Sequence, residues 1–285
     1  MKKIIISLSA FFLCCLFVGA QTPADSAVVV DFKWTEMSLG KGIVNKQGSI
    51  PNLYGGTQNV NIMVIDLKSA NYKVGVVFPD TCNITSEMAK SSNAIAAING
   101  SYYDEETFES TCYYRVDGKT VSYTTDNEFR RVNGALRIKK GKVDIIPWSK
   151  EIEKSYNEKK GIVLSSGPMM VYDNKVSDFS WLTYPRFTDV KHPRSAMAIA
   201  KDNKLWLITV DGRFKGKADG MTIPELAHML KVLGCKKALN LDGGRSTTLW
   251  SNAAPENGVL NKPAANKIFD SYGERYNCNT IIIYK

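Results

Sequence analysis

Residues 238–248, Ala-Leu-Asn-Leu-Asp-Gly-Gly-Arg-Ser-Thr-Thr, leave an apolar run through an acid, two glycines, a cation and three hydroxyls. Glycines let a backbone approach a ligand closely and adopt positive φ. Successive N–H groups in such a turn, joined by Ser and Thr hydroxyls, form a concavity for phosphate or sugar oxygens. Asp-Gly-Gly by itself is an ordinary polar turn, and its neighbours are what point to chemistry. A second apolar run, residues 205–210, also ends in Asp-Gly with an arginine beside it, Asp211-Gly212-Arg213. Pro193-Arg194-Ser195 opens the run before that one. Asn99-Gly100-Ser101-Tyr102-Tyr103-Asp104 follows residues 94–98, and Ser165-Ser166-Gly167-Pro168 follows Val163-Leu164. These strand ends together offer acid, amide, hydroxyl and guanidinium groups to one polar cleft.

The elements that must position them are mostly hairpins. Asp117-Gly118, Lys140-Gly141, Asp173-Asn174 and Asp202-Asn203 each separate two strand-like runs, the spacing of tight antiparallel turns. Residues 59–66, 72–78, 94–98 and 280–284 read as further strands. One helix is clear. Thr222 caps it, Glu225 completes a capping box, Pro224 sits in the first turn and Gly234 stops it. Ile223, Leu226, Ala227, Leu230 and Leu233 supply its apolar stripe. Residues 149–160 and 85–91 are weaker helices, and residues 21–55 read as irregular. The expected class is α+β, a largely antiparallel sheet with a few packed helices, in one domain over residues 56–285.

Residues 1–20 read as a secretory leader: Lys2 and Lys3, an apolar stretch from Ile4 to Phe17, and the small residues Val18-Gly19-Ala20. The apolar stretch is short for a membrane span, so an exported protein of the periplasm, envelope or medium is expected, without stable membrane insertion. Four cysteines follow the leader, Cys82, Cys112, Cys235 and Cys278. They permit two disulfides in three connectivities, or buried free thiols. The net charge of +9 becomes +7 without Lys2 and Lys3. The basic residues are scattered, which argues against a nucleic-acid partner and is compatible with an anionic substrate. There is no nucleophile elbow, phosphate loop or dinucleotide fingerprint. No His-rich metal constellation appears either, so no cofactor is expected to be required, although carboxylate and carbonyl sites for Ca²⁺ or Mg²⁺ leave only diffuse signals. Of the two histidines, His228 reads as a surface residue on the capped helix, and His192 as a candidate cleft residue.

The ordered set of motifs resembles the phosphodiester glycosidase family. It runs from 97–104 through Ser166-Gly167-Pro168, Pro193-Arg194-Ser195, Asp211-Gly212-Arg213 and Gly220-Met221-Thr222 to 239–248. Gly273-Glu274-Arg275-Tyr276-Asn277-Cys278-Asn279 is similar to the family's closing motif. The family includes the lysosomal enzyme that removes N-acetylglucosamine to uncover mannose 6-phosphate, and exported bacterial proteins, some linked to exopolysaccharide. Two positions depart from its pattern: Arg245 stands where a third glycine is usual, and Ser101 where the first motif has its second glycine.

The resemblance implies cleavage between an anomeric carbon and a phosphodiester oxygen, releasing a free sugar and a phosphomonoester. Glycosidic cleavage commonly uses two carboxylates, and the candidates are Asp242 first, then Asp211 and Asp104. Arg194 and Arg213 are the expected phosphate ligands, assisted by Arg245 and the Gly243 and Gly244 amides. Asn99, Gly167, Ser246, Thr247 and Asn279 complete the candidate binding set. Two other readings remain open. One is a non-catalytic envelope glycan-binding protein, stacking sugars on aromatics such as Tyr102, Tyr103, Trp181, Tyr184 and Trp250. The other is a phosphodiesterase cleaving at phosphorus.

Overall fold

Along residues 194–210 successive apolar side chains face opposite ways, so both faces of this hairpin must be covered. In the computed structural model, which describes residues 22–285, they are. Ala196, Ala198, Ile208 and Val210 enter one core, whereas Met197, Leu205 and Leu207 enter another. The leader assigned to residues 1–20 lies outside the described residues.

The hairpin sits in the middle of an eight-stranded sheet. That sheet comprises β1 (Thr35–Gly40), β2 (Ile43–Leu53), β3 (Gly56–Ile65), β11 (Met169–Tyr172), β12 (Lys175–Val176), β13 (Arg194–Ala200), β14 (Leu205–Val210) and β15 (Cys235–Asn240). Their order in space is β1-β2-β3-β14-β13-β15-β11-β12. A five-stranded sheet holds β6 (Tyr114–Val116), β7 (Lys119–Ser122), β8 (Gly134–Lys139), β9 (Lys142–Pro147) and β10 (Ile162–Ser166). A four-stranded sheet is ordered β16 (Leu249–Ser251), β5 (Ala96–Asn99), β17 (Thr280–Tyr284), β4 (Lys73–Val77). Every ladder is antiparallel, and the four expected turn dipeptides each close a hairpin. The α+β expectation holds.

The helices are α1 (Pro23–Asp31), α2 (Thr85–Ser91), α3 (Lys150–Ser155), α4 (Pro185–Thr188) and α5 (Ile223–Val232). Helix α5 carries the capping box read from the sequence, with Glu225 N–H donating to Thr222 Oγ1 and Thr222 N–H to Glu225 Oε2. Its Ile223, Leu226 and Leu230 bury against one face of the large sheet, together with Val29 of α1. The opposite face shares a core with both smaller sheets, in which Met63, Met197 and Leu207 meet Ile98, Leu136, Leu164 and Ile281. Apolar surface removed from water stabilises by about 25 cal/mol per Å², and these two cores bind the three sheets into one framework.

The described part of the segment expected to be irregular, residues 22–55, is regular. Thr22 and Asp25 form a capping box that starts α1, and β1 and β2 extend the large sheet. Polar Gly, Asn and Ser positions obscured these strands, because an edge hairpin exposes many of its residues and its β-bulges break the alternation. His228 is likewise not a free surface residue: its ring hydrogen-bonds Ser26 Oγ at 3.0 Å and Tyr54 Oη at 2.6 Å, bridging α1 to α5. The helix expected over residues 149–160 is confined to α3.

One disulfide joins Cys82 to Cys278, while Cys112 and Cys235 are buried thiols. Both alternatives open in the sequence are therefore realised, one for each pair. Replacing Cys82 and Cys278 together by Ser is expected to cost about 2–5 kcal/mol in denaturant unfolding, since the bridge closes a long loop. Burial pushes the Cys112 thiol up to about 12 and raises that of Cys235 as well. Titration with a thiol reagent should therefore detect these two only after unfolding.

Candidate active site

Antiparallel register decides what meets here. Arg194, the first residue of β13, lies opposite Val210, the last of β14, and Ala196 lies opposite Asn240, the last of β15. The segments around Arg194, Asp211-Gly212-Arg213 and Asp242 therefore leave the large sheet at one edge. The ends of β5 and β10 are tied to the same place. Asp242 N–H donates to the Gly100 carbonyl at 2.9 Å, and Ser166 Oγ donates to the Asn240 carbonyl at 2.9 Å.

These ties use up several residues expected to touch ligand. Asn99 is fully buried: its Oδ1 accepts from Ser195 Oγ and Thr248 N–H, and its Nδ2 donates to the Asp242 carbonyl at 2.6 Å. Asn279 Oδ1 accepts from Ser101 N–H at 2.6 Å. The Gly167 carbonyl accepts from Tyr102 Oη and Asn240 Nδ2. Thr247 is buried behind the turn, and its carbonyl accepts from Asn261 Nδ2. Asp211 is also a brace rather than a cleft residue. It is fully buried and accepts from Asn59 Nδ2, Asn261 Nδ2 and Lys262 N–H. Asp104 leaves the cleft altogether, exposed in an Asx turn that accepts from the Glu106 and Thr107 amides. Those amides hold its carboxyl below the ordinary range.

What remains is a cavity of about 540 Å³ at the strand ends. Of the expected residues, Arg194, Arg213, Asp242, Gly243, Gly244, Arg245 and Ser246 line it, as do Tyr102, Tyr184 and His192. Tyr103, Trp181 and Trp250 do not. Five lining residues were not anticipated as ligand-binding: Glu105, Arg131, Arg186, Phe187 and Arg275. Arg275 had a signal in the closing motif. Arg131 had none, because Arg130-Arg131 resembles any basic surface pair; its guanidinium instead lies 3.6 Å from the Tyr102 ring centroid and is gripped by Glu128 at 2.5 and 2.8 Å.

Asp242 is the central acid. Burial pushes its carboxyl up to about 6, against the opposing pull of the Ser246 hydroxyl, Arg131, the Gly243 N–H and Arg275. Arg194 is nearly fully buried, with Nε donating to the Met221 carbonyl at 2.8 Å and Nη2 to those of Phe187 and Val190 at 2.7 and 3.1 Å. Burial lowers its guanidinium to about 10, which leaves it charged at neutral pH. His192, half-buried with Nε2 at 2.9 Å from the Arg186 carbonyl, is held below its ordinary value by burial.

The expected amide concavity is not available. Gly243 N–H donates to Asp242 Oδ1, and Gly244 N–H donates to the Pro193 carbonyl at 2.8 Å. The cationic groups that line the cleft are guanidinium groups. Gly244 serves the turn by another route: its φ is +60°, and a Cβ there would sit 3.1 Å from Arg213 Nη2. Among the described residues no group of three or more His, Cys, Asp or Glu side chains is placed to hold a metal ion.

An antiparallel α+β protein with one displaced acid inside a ring of arginines is the class this fold and cleft define. The chain belongs to the phosphodiester glycosidase family, whose profile matches residues 92–284. The catalytic domain of zebrafish N-acetylglucosamine-1-phosphodiester alpha-N-acetylglucosaminidase, auto-inhibited by its pro-peptide, superposes with a TM-score of 0.66 at 20% identity, over 89% of this chain and 88% of that one. A hypothetical protein from Synechocystis superposes with a TM-score of 0.61 at 14% identity, over 88% of this chain and 64% of that one. In sequence, the SPbeta prophage-derived uncharacterized protein YomE of Bacillus subtilis (strain 168) is 36% identical over 81 residues. That segment spans 28% of this chain and 12% of YomE.

Gly167 offers a test of how Arg131 is placed. A Cβ there would lie 2.2 Å from the Arg131 carbonyl oxygen. Gly167→Ala is expected to destabilise the fold by about 1–3 kcal/mol, measured by denaturant unfolding, and to weaken phosphate binding by displacing Arg131.

Proposed function

We propose that this chain hydrolyses sugar 1-phosphodiesters at the anomeric carbon, releasing a free sugar and a phosphomonoester. The observation that carries this reading is Asp242, an acid raised to about 6 on the wall of a cleft ringed by arginines. In the reaction a C–O bond forms at the anomeric carbon and the bond from that carbon to the phosphate oxygen breaks. The bonding electrons leave with the phosphate, whose charge goes from about −1 to about −2 at neutral pH. Guanidinium groups stabilise that growing charge, and Arg194 and Arg213 are assigned to it, with Arg131 behind.

Asp242 either takes the proton of an attacking water or itself attacks the anomeric carbon; both roles require its ionised form. The other carboxylate lining the cleft, Glu105, is held below the ordinary range by Arg275 and Arg245, which makes it a poor acid. A phosphate leaving group does not need one. The sugar ring is assigned to the rim where Tyr184 stacks on Phe187 at 6.3 Å. The zebrafish relative is named for an activity on an N-acetylglucosamine 1-phosphodiester, and the same class of anionic glycan substrate is proposed here. The Cys82–Cys278 disulfide suits an oxidising compartment, and no described helix is long and apolar enough to cross a membrane. An exported, envelope or extracellular site of action is proposed accordingly.

Hydrolysis in ¹⁸O-labelled water tests the bond broken. Label in the released sugar supports the proposal; label in the phosphate means attack at phosphorus and overturns it, and glycan binding without turnover of any sugar phosphodiester means a binding protein. Asp242→Asn is expected to lower kcat/KM by about 10²–10⁴-fold. In the unsubstituted protein kcat/KM should rise with pH through about 6 as Asp242 ionises. The stability effect has the opposite sign. The folded state holds this proton more tightly than the unfolded chain, so stability falls as pH rises from about 4 to 6, and Asp242→Asn should raise Tm at pH 7.

A further inference from the structure

The cleft contains more positive charge than one phosphodiester balances. Six arginines line it against Asp242 and Glu105, and Glu128 behind the wall offsets only Arg131. The surplus concentrates at the mouth. Arg245 Nη2 and Arg275 Nη1 share the Glu105 carboxylate at 3.0 and 2.6 Å. Burial lowers the Arg213 pKa first, and the nearby Arg245 and Arg275 charges lower it further. These groups arrive from separate segments, Glu105 after β5, Arg245 after β15 and Arg275 before β17.

Glu105 is a single charge between two cations, and its side chain is 57% exposed. Among the described residues its carboxylate is held by these two guanidinium groups alone. The Arg245 pair is largely exposed on both sides and is weakly held; Arg275 is 18% exposed and the firmer partner. A phosphoryl group offers two guanidinium forks more acceptor oxygens and more charge than the one carboxylate.

We propose that Arg245 and Arg275 form a second anion subsite for which Glu105 is the resident stand-in, so that the substrate carries a second phosphoryl group beside the reacting one. This rests on reading Asp242 as the reacting carboxylate. The second group belongs either to a pyrophosphate or to the next repeat of a phosphodiester-linked sugar polymer.

Calorimetry with the full chain tests the subsite without turnover. Inorganic tripolyphosphate is expected to bind at least about tenfold more tightly than orthophosphate. Arg245→Gln with Arg275→Gln should abolish the difference, and Glu105→Gln, which keeps the side-chain shape, should tighten tripolyphosphate. Equal affinities in the unsubstituted protein, or a difference that survives the double substitution, overturns the proposal. Displacement of tripolyphosphate by a sugar 1-pyrophosphoryl ester alone assigns the second group to a pyrophosphate. Displacement by a phosphodiester-linked sugar polymer alone assigns it to the next repeat; displacement by neither overturns the substrate class. A failure of hydrolysis would count against the reaction at Asp242, and the binding comparison would still decide the subsite.

Discussion

The Asn99 side chain is the tie on which the site depends. One buried amide holds the carbonyl of Asp242, the hydroxyl of Ser195 and the N–H of Thr248. Those three groups belong to the acid turn, the strand that begins at Arg194, and the segment entering β16. Without that amide, three buried polar groups in three segments would lose their partner, each at about 1–3 kcal/mol. The small sheet is thereby fixed to the edge of the large one where the arginines emerge.

Around that tie the structure separates two jobs that look alike in sequence. Asp211, Asn279 Oδ1 and the Gly167 and Thr247 carbonyls are buried and hold strand ends together, while Asn279 Nδ2 and Thr247 Oγ1 have no partner among the described residues. Asp242, Arg194, Arg213 and Arg245 face the cavity. Burial raises both carboxyls, so their titration does not separate them. What does is that Asp211 is occupied by three donors from other segments, whereas Asp242 faces the cavity.

Much of this was legible in the residues. Turn dipeptides between alternating runs predicted the hairpins, the Thr222–Glu225 capping box predicted α5, and strand ends bearing Asp, Gly and Arg predicted the cleft. The misses have physical causes. Asp211 precedes a glycine just as Asp242 does, and Asp104 follows a strand end that carries Gly100; burial and hydrogen-bond partners are what separate the three. The Gly243 and Gly244 amides turned inward, a backbone detail that composition does not encode. Arg131 lies well away from any motif along the chain, brought in by the fold where Gly167 lets its backbone close. The strands of residues 35–53 were hidden by exposure and bulges.

Arg194 carries a final implication. Three main-chain carbonyls already hold its guanidinium, so the freedom that a long side chain normally surrenders on capturing an anion was given up when the chain folded. Its neighbour Arg245, nearly half exposed, has that loss still ahead. Under the proposed reading the deep cation would be a fixed anvil and the outer one an adjustable jaw, so that a single cleft would hold its reacting group rigidly while accepting variety in what trails behind.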